Sequence, residues 1–394
     1  MNTPKIRFKG FEDDWEQRKL GEIVLRESLA RESTIDLPYV EYEDVIAEEG
    51  RINKDIRKKE GIKKGIFFDG SQVLYGKLRP YLHNWLNPDF SGVAVGDWWV
   101  LKPNNVDKNF IYRLIQTQQF DDIANQSTGS KMPRADWNLV SNTEFAIPTS
   151  QVEQTKIGGY FFTLDNLITL HQRKCDETKQ LKKFMLQKMF PKNGEKNPEI
   201  RFEGFTDDWE QRKLGDIAGN VYGGGTPKTN VDEYWNGDIP WIQSSNVQED
   251  QLFNVEISKK ITNTGLEKSA AKLIPANSIA VVTHVGVGKL VYMPFSYATS
   301  QDFISLSDLK TDEKFMCYSL YQRLQKDIYI VQGSAIKGIT KEDLLTKQIM
   351  IPCKAEQEKI GNYFQSLDHL ITLHQRKCEK LKELKKYMLQ NMFV

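Results

Sequence analysis

Cysteine is scarce in this chain, and long apolar runs are missing. Its 394 residues include only four cysteines, no two of them in a C-x-x-C spacing, which argues against a zinc knuckle, a redox pair or a disulfide framework. No run of about 18 apolar residues occurs, so no transmembrane helix is predicted. The first 15 residues carry three Lys or Arg and no apolar segment, so we expect no signal peptide. These absences together predict a reduced, cytoplasmic protein.

An excess of one charge is also absent. Lys and Arg number 54, Asp and Glu number 53, and the formal net charge is +1. This balance excludes a uniformly basic protein that coats DNA, although it leaves room for a local basic face.

The sequence patterns of common catalytic sites are missing as well. There is no G-x-S-x-G, H-E-x-x-H or Walker A motif. The stretch at residues 283–290 contains Gly-Lys, but Thr283 and Leu290 stand where a phosphate-binding loop needs glycine and Ser or Thr. The missing motifs leave a dispersed active site open, and the unlike interiors of the two halves, described below, argue against one.

What the chain does contain is an internal repeat. Residues 4–23 and 198–217 are identical at 16 of 20 positions. Residues 153–190 and 356–393 agree at 27 of 38 positions. The two copies are far too long for a short-period solenoid, so the chain reads as two similar halves.

The interiors of the two halves are unlike. Residues 24–128 and residues 218–332 show no convincing alignment, and the likeness resumes only at Gly129 and Gly333. A duplicated enzyme would be expected to keep its active site in both interiors. Matching edges around unlike interiors instead favour one docking frame that carries two different recognition surfaces.

The second repeated segment predicts two long helices. Mostly apolar side chains recur at alternating spacings of four and three, which places them on one stripe, as in the seam of a coiled coil. The predicted seam residues are Ile157, Phe161, Leu164 and Ile168 in the first helix and Ile360, Phe364, Leu367 and Ile371 in the second. We expect the helices to pack on each other antiparallel, relating the halves by a pseudo-two-fold axis. The alternative is that each helix packs on its own globular domain.

Two local features of these helices carry further predictions. Ser150 and Glu153 fit a capping box that starts the first helix, which is expected to run from about residue 151 to residue 190. His171 stands four residues before Cys175, and the second helix repeats the pair, so a metal site built from both helices is conceivable. We favour the other interpretation, in which the histidines are polar seam residues that fix the register.

The first repeated segment contains the run DDWEQRKLG in both copies. Its mixed charges indicate a solvated strand or turn leading into each interior, with Trp15 and Trp209 as anchors. Alternatively, the two copies are a binding site for one partner that is used twice.

Both interiors favour β structure. Short runs rich in Ile, Val and aromatic residues are bounded by Gly, Asn, Asp and Pro. The predicted strands lie at residues 71–75, 93–101, 279–284 and 289–292, and helical stretches lie at 110–118 and 314–326. Each interior is therefore predicted to be an α+β domain with a mainly antiparallel, twisted sheet.

Basic residues in the first interior are candidates for nucleic-acid contacts. Residues 51–64 hold seven Lys or Arg against two acidic residues, which could form a phosphate-binding edge or a solvated charged loop. A second stretch interleaves bases with aromatic residues, and a third is a basic loop before the repeated frame resumes. The candidates are Lys58, Lys59, Lys77, Arg79, Tyr81, Lys131 and Arg134. Arg and Lys read guanine edges, whereas Asn and Gln read adenine.

The second interior offers a different set of groups. A glycine-rich loop, a segment of amides and hydroxyls, and two lysine-containing turns provide hydrogen-bonding side chains. The candidates are Gly225, Thr226, Ser244, Asn246, Lys289, Ser334 and Lys337.

Several of these stretches carry a family resemblance. The segments WEQRKLGEI and WEQRKLGDI each open a domain, KLRPYL stands at residues 77–82, GSKMPRADWN at 129–138 and GGTP at 224–227. Together with the paired HQRK helices, they resemble the specificity subunits of type I restriction–modification systems. The resemblance covers nearly the whole chain and includes its doubled organisation.

The resemblance implies a fold and a role. In such subunits the two interiors are target recognition domains that each read one half of a split, asymmetric DNA sequence, and the two helices pair antiparallel as a spacer. It places DNA-facing loops near residues 77–81, 131–134, 224–226, 244–246 and 334–337. The domains expected here are residues 1–148 and 193–352, the second including a linker, with the helices at 149–192 and 353–394.

The resemblance also implies partners. The subunit would perform no chemistry and bind no cofactor or metal, and it would dock two methyltransferase subunits and, through them, two restriction subunits. The assembled complex is expected to use S-adenosylmethionine, ATP and Mg, on double-stranded DNA and away from membranes. Two alternatives remain open: a non-catalytic coiled-coil scaffold that binds proteins, and a self-contained DNA enzyme.

Overall fold

The computed structural model describes residues 3–126, 132–192, 194–330 and 338–394. The chain divides into two compact units. Unit 1 comprises residues 1–172 and 376–394, and unit 2 comprises residues 173–375. In the described residues, no helix is both long enough and apolar enough to cross a lipid bilayer.

Unit 1 contains strands β1–β12 and helices α1–α4. The strands are β1 (Glu16–Lys19), β2 (Val24–Glu27), β3 (Ala30–Glu32), β4 (Tyr39–Val40), β5 (Val45–Ile46), β6 (Arg51–Ile52), β7 (Lys64–Phe68), β8 (Val73–Gly76), β9 (Trp85–Leu86), β10 (Gly92–Ala94), β11 (Trp98–Pro103) and β12 (Glu144–Ile147). The helices are α1 (Leu20–Ile23), α2 (Lys108–Leu114), α3 (Gln118–Ala124) and α4 (Trp137–Asn142). The long helix α5 (Gln151–Lys188) begins in unit 1 and ends in unit 2.

Unit 2 contains strands β13–β21 and helices α6–α9. The strands are β13 (Glu210–Lys213), β14 (Ala218–Gly223), β15 (Trp235–Ile242), β16 (Lys259–Ile261), β17 (Ser278–Val282), β18 (Leu290–Met293), β19 (Ala298–Thr299), β20 (Phe303–Leu309) and β21 (Gln348–Ile351). The helices are α6 (Leu214–Ile217), α7 (Asn263–Glu267), α8 (Glu313–Ile330) and α9 (Lys341–Leu345). The second long helix, α10 (Lys354–Met392), begins in unit 2 and ends in unit 1.

The two units share a sheet topology despite their unlike sequences. Unit 1 has an antiparallel sheet in the order β2-β11-β8-β9, and unit 2 has one in the order β14-β20-β17-β18. Each unit has a second sheet with one parallel pair, β10 with β4 in unit 1 and β15 with β19 in unit 2. Each also closes its repeated segment with a two-stranded pair, β1 with β12 and β13 with β21. The expected α+β class with mainly antiparallel sheets is confirmed.

The predicted single strand at residues 93–101 is wrong. The chain forms β10, which belongs to one sheet, and then β11, which belongs to the other. Gly96 lies between them with φ of +102°, a left-handed conformation that an L side chain rarely adopts. The apolar run is continuous in sequence because both strands are buried, so hydrophobicity alone did not reveal the break.

Four aromatic rings close the core of unit 1 around the repeated tryptophan. Trp15 is 2% exposed, and its ring centroid lies 6.0 Å from that of Phe110 and 6.2 Å from that of Phe393. Phe161 of α5 lies 6.2 Å from Phe393. The expected anchoring role of this tryptophan is therefore seen in unit 1, and the anchor includes the end of the second long segment.

Unit 2 repeats this arrangement with its own residues. Phe190, just after α5, stacks on Phe315 at 5.8 Å and on Phe364 of α10 at 5.9 Å. Trp209 lies 5.7 Å from Phe315 and is 2% exposed. In both units, the end of one long helix is buried together with the start of the other.

The predicted seam residues have two kinds of neighbour. Ile157, Phe161 and Leu164 lie in the core cluster of unit 1 together with Met392 and Phe393. Their counterparts Ile360, Phe364 and Leu367 lie in the core cluster of unit 2 with Met189 and Phe190. The first part of each stripe thus packs on its own domain and on the other long helix at once.

Beyond these positions the helices contact each other directly. In unit 1 the Cys378 Sγ lies 3.9 Å from the Ile168 carbonyl oxygen. In unit 2 the Cys175 Sγ lies 3.9 Å from the Ile371 carbonyl oxygen. Among the described residues no group of three or more His, Cys, Asp and Glu is arranged to hold a metal ion.

The first helix begins at Gln151, where the Ser150–Glu153 pattern predicts it, but the predicted side-chain capping by Glu153 is wrong. The Glu153 side chain pairs with Arg7, Nε to Oε1 at 2.6 Å and Nη2 to Oε2 at 2.9 Å. Only the backbone of the first turn follows the expected pattern, since the Glu153 N–H donates to the Ser150 carbonyl oxygen at 3.1 Å. The carboxylate is therefore used to bind the N-terminal segment to the helix.

Candidate nucleic-acid interface

Two segments predicted as separate basic loops lie side by side in unit 1. Leu78 and Arg134 form an antiparallel bridge. The Arg79 N–H donates to the Pro133 carbonyl oxygen at 2.7 Å, and the Ala135 N–H donates to the Lys77 carbonyl oxygen at 2.9 Å. Backbone pairing therefore fixes Lys77 and Arg134 next to each other, although 56 residues separate them in the sequence.

Asp97, an acidic residue that the sequence analysis missed, lies between the two basic side chains. The Arg134 Nη2 lies 3.0 Å from Oδ2 of Asp97, and the Lys77 Nζ lies 3.5 Å from its Oδ1. Hydrogen bonding from Arg134, with the charge of Lys77, lowers the pKa of the Asp97 carboxyl. The side chains are 52% exposed for Arg134, 32% for Lys77 and 27% for Asp97, so a ligand can reach all three.

A half-buried tyrosine holds the backbone of this cluster. The Tyr42 hydroxyl donates to the Asp97 carbonyl oxygen at 2.5 Å and accepts from the Leu78 N–H at 3.1 Å. Its ring packs edge-on against Trp98 at 4.6 Å. Burial raises the pKa of Tyr42, so the hydroxyl stays protonated and keeps its donor role. The cluster is therefore positioned by strand ends and by the Tyr42 hydroxyl.

The remaining residues of the first loop form a strained turn. Arg79 and His83 have φ values of +50° and +53° and flank a short 3-10 turn, Pro80–Leu82. Tyr81 in this turn is 52% exposed. The His83 Nε2 lies 2.9 Å from Oδ1 of Asp121. Positive φ at two non-glycine residues costs free energy, which the surrounding contacts must offset.

The basic stretch at residues 51–64 is less available than its charge count indicates. Lys59 is only 12% exposed, and its Nζ lies 2.6 Å from Asp44 and 3.0 Å from Glu41. Lys54 also pairs with Asp44, and Lys63 pairs with Glu41. A charge count over consecutive residues missed these two carboxylates because they precede the stretch.

Lys58 is placed differently from its neighbour. It is 83% exposed, with its Nζ 3.6 Å from Asp55. A contact this long and this exposed contributes little to stability. Of the two adjacent lysines named as candidates, only Lys58 presents its ammonium group to solvent.

The glycine-rich loop of unit 2 is tied to the parallel strand pair. The Gly225 N–H donates to the Thr299 carbonyl oxygen at 2.8 Å, and the Trp241 indole N–H donates to the Gly225 carbonyl oxygen at 3.1 Å. A Cβ at Gly225 would lie 2.3 Å from the Ala270 carbonyl carbon, so only glycine fits there. Thr226 donates from its hydroxyl to the exposed Gln301 at 2.7 Å.

The other candidates of unit 2 are partly engaged with the protein. Asn246 ends a short 3-10 turn, Ser244–Asn246; its Oδ1 accepts from the Gln243 N–H at 2.9 Å and its Nδ2 donates to Ser258 at 3.0 Å. Lys289 donates to the Val247 carbonyl oxygen at 3.3 Å. Ser244 is half-buried. Both ends of the Asn246 amide therefore hydrogen-bond to the protein and stabilise the loop.

Three candidates lie outside the described residues. These are Lys131, Ser334 and Lys337, together with the points at Gly129 and Gly333 where the repeat resumes.

The same backbone arrangement recurs in unit 2, and we call it the strand-end corner. In unit 1 the corner is residues 77–78, 97 and 134–135, where the Lys77 N–H donates to the Asp97 carbonyl oxygen at 2.9 Å. In unit 2 it is residues 283–284, 302 and 338–339. There the Thr283 N–H donates to the Asp302 carbonyl oxygen at 2.7 Å, and the Ile339 N–H donates to the Thr283 carbonyl oxygen at 2.8 Å.

The side chains at the two corners differ. Unit 1 places Lys77 and Arg134 around its aspartate. Unit 2 has Thr283, whose hydroxyl lies 3.1 Å from the His284 Nδ1, and glycine at position 338. The Thr283 side chain is buried and its hydroxyl donates to the Asp302 carbonyl oxygen at 3.0 Å, so the exposed side chain at this corner is that of His284. One backbone frame thus presents ionic groups in unit 1 and an imidazole in unit 2, which suits recognition of two different ligand edges.

The family model, the curated relatives and the solved structures that match this chain all belong to one family. The family model described as "Type I restriction modification DNA specificity domain" matches residues 12–180 and 206–383. Each match contains one interior and most of the repeated segments that flank it.

Several curated proteins are similar to this chain. The type I restriction enzyme MjaIX specificity subunit of Methanocaldococcus jannaschii is 25% identical over 191 residues, an alignment that spans 48% of this chain and 44% of that protein. The putative MjaX specificity subunit of the same organism is 23% identical over 418 residues, spanning 98% and 94%. The Escherichia coli EcoR124I/EcoR124II specificity subunit is 30% identical over 171 residues, spanning 41% of each.

Solved structures share the fold. The crystal structure of a type I restriction–modification S subunit from M. genitalium superposes with a TM-score of 0.65 at 12% identity and covers 100% of this chain and 99% of that one. A chain from a study of complex assembly and conformational transition of the type I R-M system superposes with a TM-score of 0.53 at 18% identity, covering 95% and 96%.

Proposed function

Because this chain belongs to the type I restriction–modification DNA specificity family, we propose that its two units each read one half of a split, asymmetric DNA target. The chain is a specificity subunit whose domains recognise DNA sequence. The bipartite target is the further step. One observation carries it: the strand-end corner recurs in both units with different side chains.

Different groups at one backbone position read different base pairs. In the major groove each base pair presents its own pattern of donors and acceptors. The corner of unit 1 offers Lys77, Asp97 and Arg134, and the corner of unit 2 offers the exposed His284. Two unlike corners therefore favour two unlike half-sites in one target.

The two long helices are proposed to act as a spacer between the half-sites. Helices α5 and α10 contain 38 and 39 residues, so each is about 57 Å long. Within unit 1, Asp165 contacts Lys385, and within unit 2, Lys182 contacts Asp368. The helix segments run in opposite directions in both units, which supports an antiparallel coiled coil related by a pseudo-two-fold axis.

The repeated frame is proposed to dock two copies of a methyltransferase subunit and, through them, the restriction subunits. β1 and β13 carry the same residues, Glu-Gln-Arg-Lys, and these are largely exposed in both units. Identical exposed strands support one kind of partner bound twice. The chain itself would perform no chemistry; S-adenosylmethionine, ATP and Mg are assigned to the partner subunits, acting on DNA in the cytoplasm.

The test is a methylome. The chain would be expressed with its cognate methyltransferase subunit in a host that lacks adenine methylation, and modified adenines would be mapped across the genome. One bipartite motif, methylated on both strands, is the expected result. Absence of any motif, with the complex shown to assemble, would contradict the proposal and favour a protein-binding scaffold. Methylation by the chain alone would instead indicate a self-contained enzyme.

A further inference from the structure

The Asp97–Arg134 pair of unit 1 has unused hydrogen-bonding capacity at an accessible position. Arg134 directs Nε and Nη2 at the Asp97 carboxylate, at 3.3 Å and 3.0 Å. A guanidinium carries five N–H donors and a carboxylate about four acceptor positions, so the pair does not saturate either group. Arg134 is 52% exposed and Asp97 is 27% exposed.

Both residues are held in place by backbone contacts. Asp97 is fixed through its carbonyl oxygen by Tyr42 and by the Lys77 N–H. Arg134 is fixed through its bridge to Leu78. The ion pair then orients the guanidinium plane. Groups preorganised in this way lose less conformational entropy on binding than groups on a free loop.

The donors and acceptors of this pair match one base pair. Guanine is the base whose major-groove edge presents two adjacent acceptors, N7 and O6, and an arginine fork binds them bidentately. The paired cytosine presents its N4 amino group, a donor that Asp or Glu accepts. A guanidinium next to a carboxylate therefore complements both halves of a G·C pair.

We infer that Asp97 and Arg134 act together as the group that reads a G·C base pair in the half-site recognised by unit 1. The inference rests on the proposed function and adds a residue-level specificity determinant to it. Arg134 contacts guanine, and Asp97 orients Arg134 while accepting from the cytosine amino group. Lys77, with its Nζ 3.5 Å from Asp97, adds positive charge beside the pair.

Removing the charge of Asp97 distinguishes base reading from phosphate binding and from a purely structural role. A carboxylate at a DNA-facing surface repels phosphates, so Asp97→Asn should strengthen nonspecific binding to duplex DNA. The same substitution should weaken discrimination at one base pair. A purely structural pair would instead lower methylation of all sites together, without changing the motif.

The experiment compares methylomes of the full complex carrying Arg134→Lys, Asp97→Asn or no substitution. Arg134→Lys keeps the charge but loses the bidentate fork, so we expect roughly a 5- to 150-fold loss of discrimination at one position of the first half-site. Asp97→Asn should relax that same position. The half-site read by unit 2 should stay unchanged and serves as an internal control.

Matched controls come from elsewhere in unit 1. Arg31→Lys alters an arginine that lies over the Phe67 ring, and Asp122→Asn alters an exposed carboxylate that accepts from Gln118. Both repeat the same chemical changes, and both should leave the motif intact. Thermal unfolding of each variant shows whether it is folded, and Arg134→Lys keeps the test decisive if Asp97→Asn does not fold.

The outcomes are distinct. A wild-type motif whose first half-site contains a G·C pair that both variants relax supports the inference. A wild-type motif that both variants leave unchanged, or a first half-site without a G·C pair, overturns it while leaving the proposed function intact. No wild-type motif from an assembled complex contradicts the proposed function itself and the inference with it.

Discussion

Arg7 and Glu153 form a bidentate ion pair that joins the N-terminal segment to the start of α5. The two contacts are 2.6 Å and 2.9 Å long, and the side chains are 14% and 1% exposed. Unit 2 repeats the pair with Arg201 and Glu356, at 2.7 Å and 2.8 Å. A pair kept in both copies of the repeat, at the same place in the frame, is part of what makes the two frames equivalent.

Arg7→Ala should therefore destabilise unit 1 strongly. Removing one partner of a buried pair leaves an uncompensated charge, here on Glu153, and costs about 3–5 kcal/mol. The midpoint of thermal unfolding should fall by several degrees. The matched control is Arg173→Ala, because Arg173 and Glu177 form an exposed pair on α5 that should contribute little to stability. Equal shifts for the two variants would show that Glu153 is solvated once Arg7 is gone.

A second prediction concerns Asp165, which lies between two cations. Its Oδ2 is 2.6 Å from Arg113, which is 1% exposed, and its Oδ1 is 2.8 Å from Lys385, which is 15% exposed. Asp165→Asn would leave both cations without this counter-charge and should cost about 3–5 kcal/mol. Lys385→Met keeps the Arg113–Asp165 pair and should be neutral or stabilising. Denaturant unfolding of both variants measures the difference.

Unit 2 supplies the control for this pair of variants. There Asp368 receives Lys182 at 2.5 Å and the hydroxyl of Tyr318 at 2.6 Å, so a neutral group stands in the place of Arg113. Lys182→Met leaves the Asp368 carboxylate with that neutral partner and should destabilise more than Lys385→Met. The opposite ranking would contradict this account.

The partly buried Lys385 predicts that the stability of unit 1 depends on pH. Burial lowers the pKa of Lys385 from its usual value of 10.5, despite the attraction of Asp165. Between the lowered pKa and 10.5 this lysine binds a proton in the unfolded chain but not in the folded one, so its contribution to the stability rises with pH in that window. Relative to Lys385→Met, the wild type should gain stability as pH increases there and show a constant difference below it. A difference that shrinks with rising pH would have the wrong sign.

Two adjacent lysines give the fourth prediction. Lys58→Ala should weaken DNA binding for all sequences alike and reduce the dependence of log K on log salt by about 0.9, as expected when one phosphate contact is lost. Lys59→Ala should instead destabilise the fold, since Asp44 has no exposed surface and its pKa is held down by hydrogen bonds from Lys59 and Lys54 against the effect of burial. Duplex titrations at several salt concentrations, with thermal unfolding of both variants, separate the two roles. The contrary result would be a Lys59→Ala variant that is as stable as the wild type but whose DNA binding depends less on salt. It would show that Lys59 contacts phosphate although its side chain is largely buried.

The long elements of the fold could be predicted from the sequence because their signals are periodic. The first helix was expected to end near residue 190 and ends at Lys188. Local details followed less well wherever a distant residue competes for a group. Glu153 matches a capping pattern, yet Arg7, 146 positions away, takes its carboxylate. No spacing rule within the helix contains that partner.

The candidate site shows the same limit. Sequence patterns identified Lys77 and Arg134 as bases in two loops, but only the pairing of Leu78 with Arg134 brings the loops together. Asp97 carried no signal of its own, since it follows a left-handed glycine within an apolar stretch. Its role depends on two cations that are distant in the sequence.

The last prediction tests the helices as a spacer. Inserting four residues into both α5 and α10 adds one turn to each, about 6 Å. If the spacer fixes the distance between half-sites, the gap in the methylated motif should grow by roughly two base pairs at 3.4 Å per pair, with both half-sites unchanged. Four residues advance an α-helix by slightly more than one turn, so the apolar stripe is nearly preserved and the pairing can persist. A two-residue insertion is the control, because it turns the stripe by about 200° and should abolish methylation instead of lengthening the gap. Methylation of the original motif by the four-residue variant would contradict the spacer, because a rigid pair lengthened by a full turn cannot hold its two recognition domains over the same gap.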